Sequence, residues 1–187
     1  MDKTALRLAL RAQRRALSPS DLIAAEAAAR AHLLAWEGWK SAKTVALYCD
    51  VRGELPTQSL ITEALNAGKR VALPCMESTG MRLRWVSALS ELSLGAQNIK
   101  SPGPQAPEAD LSSLDLMLTP GVAFDRRGGR LGQGGGDYDR CLLQLPARTA
   151  VVGLCHDFQL LENVPQEPHD RRVGWILTPS GLFKAKD

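Results

Sequence analysis

An apolar run, Leu114-Asp115-Leu116-Met117-Leu118, leads through Thr119-Pro120-Gly121 into a stretch dense in glycine, arginine and aspartate. Gly128-Gly129 precede Arg130. Gly132-Gln133-Gly134-Gly135-Gly136 follow, and Asp137-Tyr138-Asp139 open an amphipathic segment, Arg140 to Leu145. A buried strand, a glycine-rich loop and a helix start together turn backbone N–H groups and a helix dipole toward an anion. Glycine suits such a loop because a side chain would hold phosphate oxygens away and because positive φ is open to it at little cost. Arg130 offers a planar fork of donors for phosphate. Asp139 offers a hard oxygen of the kind magnesium takes. The chemistry these residue types could do is the binding of an anion or nucleotide.

The spacing rules out two familiar phosphate loops. No Gly-Lys-Ser/Thr follows the glycines, so this is not a Walker A loop. Gly132 and Gly134 fit the first two positions of the dinucleotide fingerprint, but Asp137 stands where its third glycine belongs. A glycine-rich surface loop without a ligand is the reading the spacing leaves open.

The elements that must position this stretch can be read outward from it. Residues 2–17 are expected to form a helix, with Leu6, Leu10 and Leu17 near one face and Lys3, Arg7, Arg11 and Arg14 a turn apart on another. Such a stripe is either a solvated face or a set of cations for one polyphosphate, with Lys3 and Arg7 at i and i+4. Ser18-Pro19-Ser20-Asp21 predicts a capped start for a second helix running to about Trp36. Thr44 to Cys49 reads as a strand, Pro56-Thr57 to Asn66 as a helix stopped by Gly68, and Arg70 to Pro74 as a second strand. Strand, helix, strand implies a parallel pair with a right-handed crossover. Glu54 then falls beyond a strand's carboxyl end, where ligands of open α/β sheets gather. Met81 to Val86 alternates as a half-exposed strand, and residues 98–110, rich in proline, read as a surface connection. Ala150 to Cys155 and Arg172 to Thr178 read as further strands.

Composition bounds the class. The chain has 187 residues, 44% of them hydrophobic, which suits a single globular domain with a sizeable core. A net charge of +3 does not argue for nucleic acid or a membrane surface as partner. Four cysteines, Cys49, Cys75, Cys141 and Cys155, form no C-x-x-C pair and read as reduced thiols of a cytoplasmic protein. No run approaches a membrane span, and the charged N-terminus lacks the apolar core of a signal peptide. His156, Asp157, His169 and Asp170 have no standard metal-ligand spacing, so no histidine-based metal site is expected. Asp170 sharing magnesium with Asp139 through oxygen is compatible with its chemistry.

The central stretch resembles the 5-formyltetrahydrofolate cyclo-ligase (methenyltetrahydrofolate synthetase) family. The family pattern Pro-Gly-x-x-Phe-Asp stands here as Pro120-Gly121-Val122-Ala123-Phe124-Asp125, and Arg-Leu-Gly-x-Gly-x-Gly-Tyr-Tyr-Asp as Arg130 to Asp139. The resemblance extends to Lys3-x-x-Leu6-Arg7, to Gly53-Glu54-x-x-Thr57 and to the Asp170 region. It implies a single three-layer α/β/α domain over residues 1–187 with a mostly parallel central sheet. It also implies an ATP- and magnesium-dependent closure of 5-formyltetrahydrofolate to 5,10-methenyltetrahydrofolate, with release of ADP and phosphate. By that resemblance Lys3 and Arg7, with Arg130, Leu131, Gly132, Gln133, Gly134, Gly135, Gly136, Asp137 and Tyr138, would hold ATP, and Lys3 and Arg130 would act in catalysis. Asp139 and Asp170 would hold magnesium. Cys49, Glu54 and the Gln133–Asp137 segment would line the folate site. The partners implied are ATP and a reduced folate, with no nucleic acid and no membrane, and the expected form is a monomer.

Three departures from the family pattern stand out. Asp137 replaces the first tyrosine of the usual pair, Ile99-Lys100-Ser101-Pro102 replaces Ile-Pro-Glu-Pro, and Gly174 stands where an aspartate is common. They leave a second expectation open: a divergent member that binds nucleotide or folate but acts on another substrate or does not turn over. A nucleic-acid-binding protein using the basic first helix is a third, opposed by the modest charge and the lack of interleaved aromatics.

Overall fold

The computed structural model describes residues 2–95, 99–167 and 170–186. At its centre lies a seven-stranded sheet. Strand β1 (Thr44–Ala46) pairs in parallel with β2 (Arg70–Glu77) on one side and β6 (Leu116–Pro120) on the other. Strand β9 (Ala150–Leu154) adds in parallel to β6, and β11 (Trp175–Thr178) in parallel to β9. Both edges are antiparallel, with β3 (Gly80–Val86) on β2 and β12 (Gly181–Lys184) on β11. The parallel pair expected from strand, helix, strand therefore forms between β1 and β2, within the mostly parallel sheet that the family resemblance implies.

Alternation along the strands sorts the core into two faces. Val45, Leu47, Leu116 and Leu118 point to one side, where Ala29 and Leu33 of α2 (Pro19–Ala35), Trp39 of α3 (Glu37–Ser41) and Leu60, Ile61 and Ala64 of α4 (Gln58–Asn66) cover them. Ala46, Ala72 and Met117 point to the other side, against Cys141 of α5 (Asp137–Leu142). That second outer layer also holds a small sheet of β7 (Ala123–Asp125), β8 (Arg130–Leu131) and β10 (Leu160–Leu161). Helix α1 (Lys3–Arg15) lies on the small sheet, its Leu10 packed with Val122, Leu131 and Val164. The three layers are thus present, with the second helical layer partly built from β-structure.

Local chemistry explains the boundaries. Ser18 caps α2 by accepting from the Asp21 N–H at 3.2 Å while the Asp21 carboxylate accepts from the Ser18 N–H at 3.0 Å, the reciprocal box expected from the sequence. Helix α1 is shorter than the expected 2–17, because Asp2 lies outside it as a cap and accepts from the Ala5 N–H at 2.7 Å.

Several elements were not legible. Strand β2 continues past Pro74 and returns as the hairpin strand β3, since Met76 and Glu77 pair with Met81 and Gly80. The connection read over 98–110 contains β5 (Lys100–Pro102), paired with β4 (Leu92–Leu94). Its first residue, Asn98, lies outside the described residues. Strands of three residues are too short to show a period. Between the β6 strand and the glycine loop lies a β7–β8 hairpin that no periodic pattern marks. It is held by Asp125, buried, whose carboxylate accepts from the N–H groups of Arg127, Gly129 and Val164, each at 2.9 Å.

Candidate active site

Four of the five basic residues of helix α1 recur at spacings of four, four and three residues, and in the fold each of the four meets a different part of one site. Lys3 Nζ lies 2.7 Å from Asp170 Oδ2 and 3.2 Å from Glu167 Oε1. Arg7 Nε donates to the Gly132 carbonyl at 2.9 Å. Arg11 donates to the side-chain oxygen of Gln133 at 2.6 and 3.0 Å, and to its carbonyl at 3.1 Å. Arg14 Nη1 lies 3.3 Å from Glu54 Oε1. A helix rises about 1.5 Å per residue, so this stripe spans about 16 Å. Leu6 and Leu10, packed on the small sheet, fix its rotation. The stripe is therefore not a solvated face.

Opposite it is the glycine loop. Gly134 has φ +113°, and Gly136, at φ +70°, occupies the cap position of α5 in the left-handed region. Both conformations are costly for residues with a Cβ. Arg130 projects from β8 and is buried. Its Nη2 donates to Asp139 Oδ1 at 2.8 Å, its Nη1 to the Pro120 carbonyl at 3.3 Å, and its guanidinium stands 5.7 Å from the Tyr138 ring centroid. Its Nε has no hydrogen-bond partner among the described residues.

Glu54 sits in the turn after β1 and is 6% exposed. Its Oε2 accepts from the Val51 N–H at 3.2 Å, and its Oε1 accepts from Arg14 and from Gln133 Nε2, each at 3.3 Å. Burial pushes its carboxyl above the ordinary range, and the Arg14 charge opposes that rise. Cys49 beside it has its thiol pushed up to about 11, by burial first and then by Asp50, so it lines the site as a neutral group. Burial would lower the Lys3 ammonium, but the bonds from Asp170 and Glu167 outweigh it and raise it.

One cavity of about 830 Å³ joins these groups except Arg11 and Arg14, which reach its lining residues Gln133 and Glu54. Every residue singled out from the sequence borders it: Lys3, Arg7, Cys49, Glu54, Arg130 to Asp139, and Asp170. The size suits a ligand larger than a nucleotide alone. Sequence reasoning missed its apolar wall, which includes Met76, Met81, Leu94 and Pro102, and it did not assign Arg11, Arg14, Tyr48 or Glu167. The i, i+4 and i, i+3 spacings carried the signal for the two arginines. Nothing in the sequence signalled the wall, since β4 and β5 reach it only through tertiary pairing.

The departures from the family pattern take concrete form. Asp137 Oδ1 pairs with Arg140 Nη2 at 2.6 Å, so its charge is met one turn along the helix. Ser101 lies in β5 at the cavity. Gly174 donates its N–H to Val151 at 3.0 Å and asks for no side chain. His156 Nε2 lies 3.0 Å from the Gly53 carbonyl and its ring stacks on Phe158, a structural placement. His169 lies outside the described residues. Among the described residues no group of three or more His, Cys, Asp or Glu side chains converges, and no helix is long and apolar enough to cross a membrane.

A mostly parallel sheet with a cation-lined glycine loop beyond its strand ends defines an α/β protein built to take an anionic ligand beside a buried carboxylate. The comparisons narrow this class. The model of the 5-formyltetrahydrofolate cyclo-ligase family matches residues 1–179. The 5-formyltetrahydrofolate cyclo-ligase of Escherichia coli strain K12 is 37% identical over 181 residues, covering 94% of this chain and 99% of that protein. That of Mycolicibacterium smegmatis is 32% identical over 190 residues, covering 95% and 93%. The solved structure of Aquifex aeolicus 5,10-methenyltetrahydrofolate synthetase matches with a TM-score of 0.89 at 31% identity, over 100% of this chain and 94% of that one. The chain belongs to the 5-formyltetrahydrofolate cyclo-ligase family.

Proposed function

We propose that this protein closes 5-formyltetrahydrofolate to 5,10-methenyltetrahydrofolate at the expense of ATP, releasing ADP and phosphate. The observation that carries the reading is the shared cavity, bordered by Lys3 and Arg7 of α1, by the glycine loop and by buried Glu54, which the loop reaches through Gln133. Polyphosphate and pterin would then lie in one space with the formyl group between them. The formyl oxygen, a poor leaving group, takes the γ-phosphoryl group to give an iminium phosphate. The folate N10 attacks that carbon, loses its proton, and phosphate departs. Such transfer needs alignment and charge neutralisation more than a protein nucleophile. Lys3, Arg7 and Arg130 supply the charge, and the loop amides of Gly132 to Gly136 supply donors.

Magnesium fits the donor set. A cation that travels with phosphates needs one or two carboxylates and water, not a closed protein cage. Asp139 and Asp170 would hold it, and when bound it neutralises phosphate charge. Asp139 engages Arg130 and the Arg171 N–H through Oδ1, which leaves Oδ2 for such a ligand. Glu54 accepts the N–H groups of the pterin ring, and the methionine-rich wall takes the rest of the folate. The reading takes the protein as a monomer and a single domain. Four unpaired cysteines support a reducing, cytoplasmic setting. Lys3 and Arg7 border the cavity and Arg11 and Arg14 are engaged by Gln133 and Glu54, which supports a small-molecule ligand over nucleic acid.

Mixing protein, ATP, magnesium and 5-formyltetrahydrofolate should give methenyl absorbance with one ADP per product. Arg130→Ala should abolish it. ATP binding with no methenyl product would overturn this reading.

A further inference from the structure

Glu54 is the acidic group at the folate end of the cavity, and its usefulness depends on its protonation. A carboxylate offers acceptors on both oxygens, whereas a neutral carboxyl turns one oxygen into a donor. The N–H edge of a pterin needs acceptors. Yet Glu54 is buried, and burial favours the neutral form.

The structure supplies a counter-charge from an unexpected place. Arg14 stands at the far end of α1 from Lys3, three turns away, and its side chain is 1% exposed. Its Nη1 lies 3.3 Å from Glu54 Oε1, and its Nε finds no hydrogen-bond partner among the described residues. The backbone is shaped to this contact. Gly53, at φ +75°, sits so close to the Arg14 carbonyl that a Cβ there would lie 2.7 Å from it. His156 holds the Gly53 carbonyl from the other side at 3.0 Å. Gln133 of the glycine loop completes the set on Glu54 Oε1.

We propose that Arg14 is a positioning residue for the folate, keeping buried Glu54 an ionised, acceptor-only partner for the pterin N–H groups. This rests on the cyclo-ligase reading for the identity of the ligand, but not for the effect on Glu54. The same helix then serves both substrates, with Lys3 and Arg7 at the phosphates and Arg14 at the pterin. The other groups near Glu54 do not substitute for Arg14. Tyr48 and Tyr138 are neutral phenols raised well above their ordinary values by burial and by Glu54 itself. His156 is lowered by burial and is neutral at pH 7. Asp50, four residues past β1, is acidic and offers no counter-charge. Gln133 carries no charge.

The test titrates Glu54 directly. Protein labelled with 13C at glutamate side-chain carboxyls is followed by NMR against pH, with Glu54→Gln assigning the signal. In Arg14→Met the Glu54 midpoint should move up by about one to three pH units. Arg14→Gln, which keeps donors in place and stays neutral, should do the same, and Arg14→Lys should return most of the shift. In turnover, both neutral variants should show a folate KM raised about tenfold or more at pH 7, falling as pH is raised, with the KM for ATP unmoved. A Glu54 midpoint unchanged in both neutral variants overturns the proposal, whatever their activity. Wild-type protein that makes no methenyl product overturns the cyclo-ligase reading instead, and leaves the titration to decide Arg14.

Discussion

Lys3 Nζ and Asp170 Oδ2 lie 2.7 Å apart, joining the first turn of α1 to the segment that leads into the last parallel strand. A second pair repeats the pattern, with Arg130 Nη2 on Asp139 Oδ1 at 2.8 Å. Two of the three cations proposed for phosphate thus rest on carboxylates proposed for magnesium, and the third, Arg7, rests on the Gly132 carbonyl. Without ligand these pairs hold the cavity's charges in place. Under the proposed function, nucleotide and metal entering together would give each member a new partner of the opposite sign, so the exchange would strand no charge.

Lys3→Ala should lower kcat by about two to three orders of magnitude, the loss seen when one charge-stabilising donor is removed from a transition state. The pair it breaks is partly solvated, so stability should change by less than about 1 kcal/mol. Steady-state kinetics beside thermal unfolding checks this. A large drop in Tm with kcat retained would mean that Lys3 serves the fold.

Gly134→Ala should raise the KM for ATP by about tenfold. A side chain at φ +113° is strained, by about 1–3 kcal/mol, and the loop must shift to relieve it. Titration with a non-hydrolysable ATP analogue reads the effect. The KM for folate should change less.

Asp137→Ala should leave the KM for ATP unchanged or lower it, because Arg140 already meets the Asp137 charge at 2.6 Å and would be released toward the phosphates. Stability should change by less than about 0.5 kcal/mol, as for other exposed i, i+3 pairs. A rise of tenfold in the KM for ATP would instead give Asp137 a direct part in nucleotide or metal binding.

Stability should fall as pH drops below about 6.5, the ordinary value of histidine. His156 is buried against Phe158 and Gly53, and burial lowers its pKa. Below the ordinary value the unfolded chain takes up a proton that the folded chain refuses, so protonation favours unfolding. Tm measured from pH 7.5 to 5.5 should drop more for the wild-type protein than for His156→Asn. Equal slopes would mean that other groups carry the acid sensitivity.

How much was legible in the chain itself follows from the range of the forces involved. Helix starts, turns and the glycine loop are set by neighbours a few residues apart. Ser18, Pro19 and Asp21 announced α2, and Arg130 to Asp139 announced the loop. The parallel core followed from apolar runs alternating with a helix, since such strands bury both faces. The meaning of the basic stripe was not local. Lys3, Arg7, Arg11 and Arg14 have the same spacing on a solvated helix as on one laid along a cavity, and the partners that distinguish the two cases lie 167, 125, 122 and 40 residues away. The protonation of Glu54, the burial of Arg130 and the wall made by Met76 and Leu94 depend in the same way on packing between distant segments. The sequence alone determined which residues could do the chemistry. Only the tertiary structure decided which charges face one another, because desolvation and ion pairing act through space and have no period along the chain.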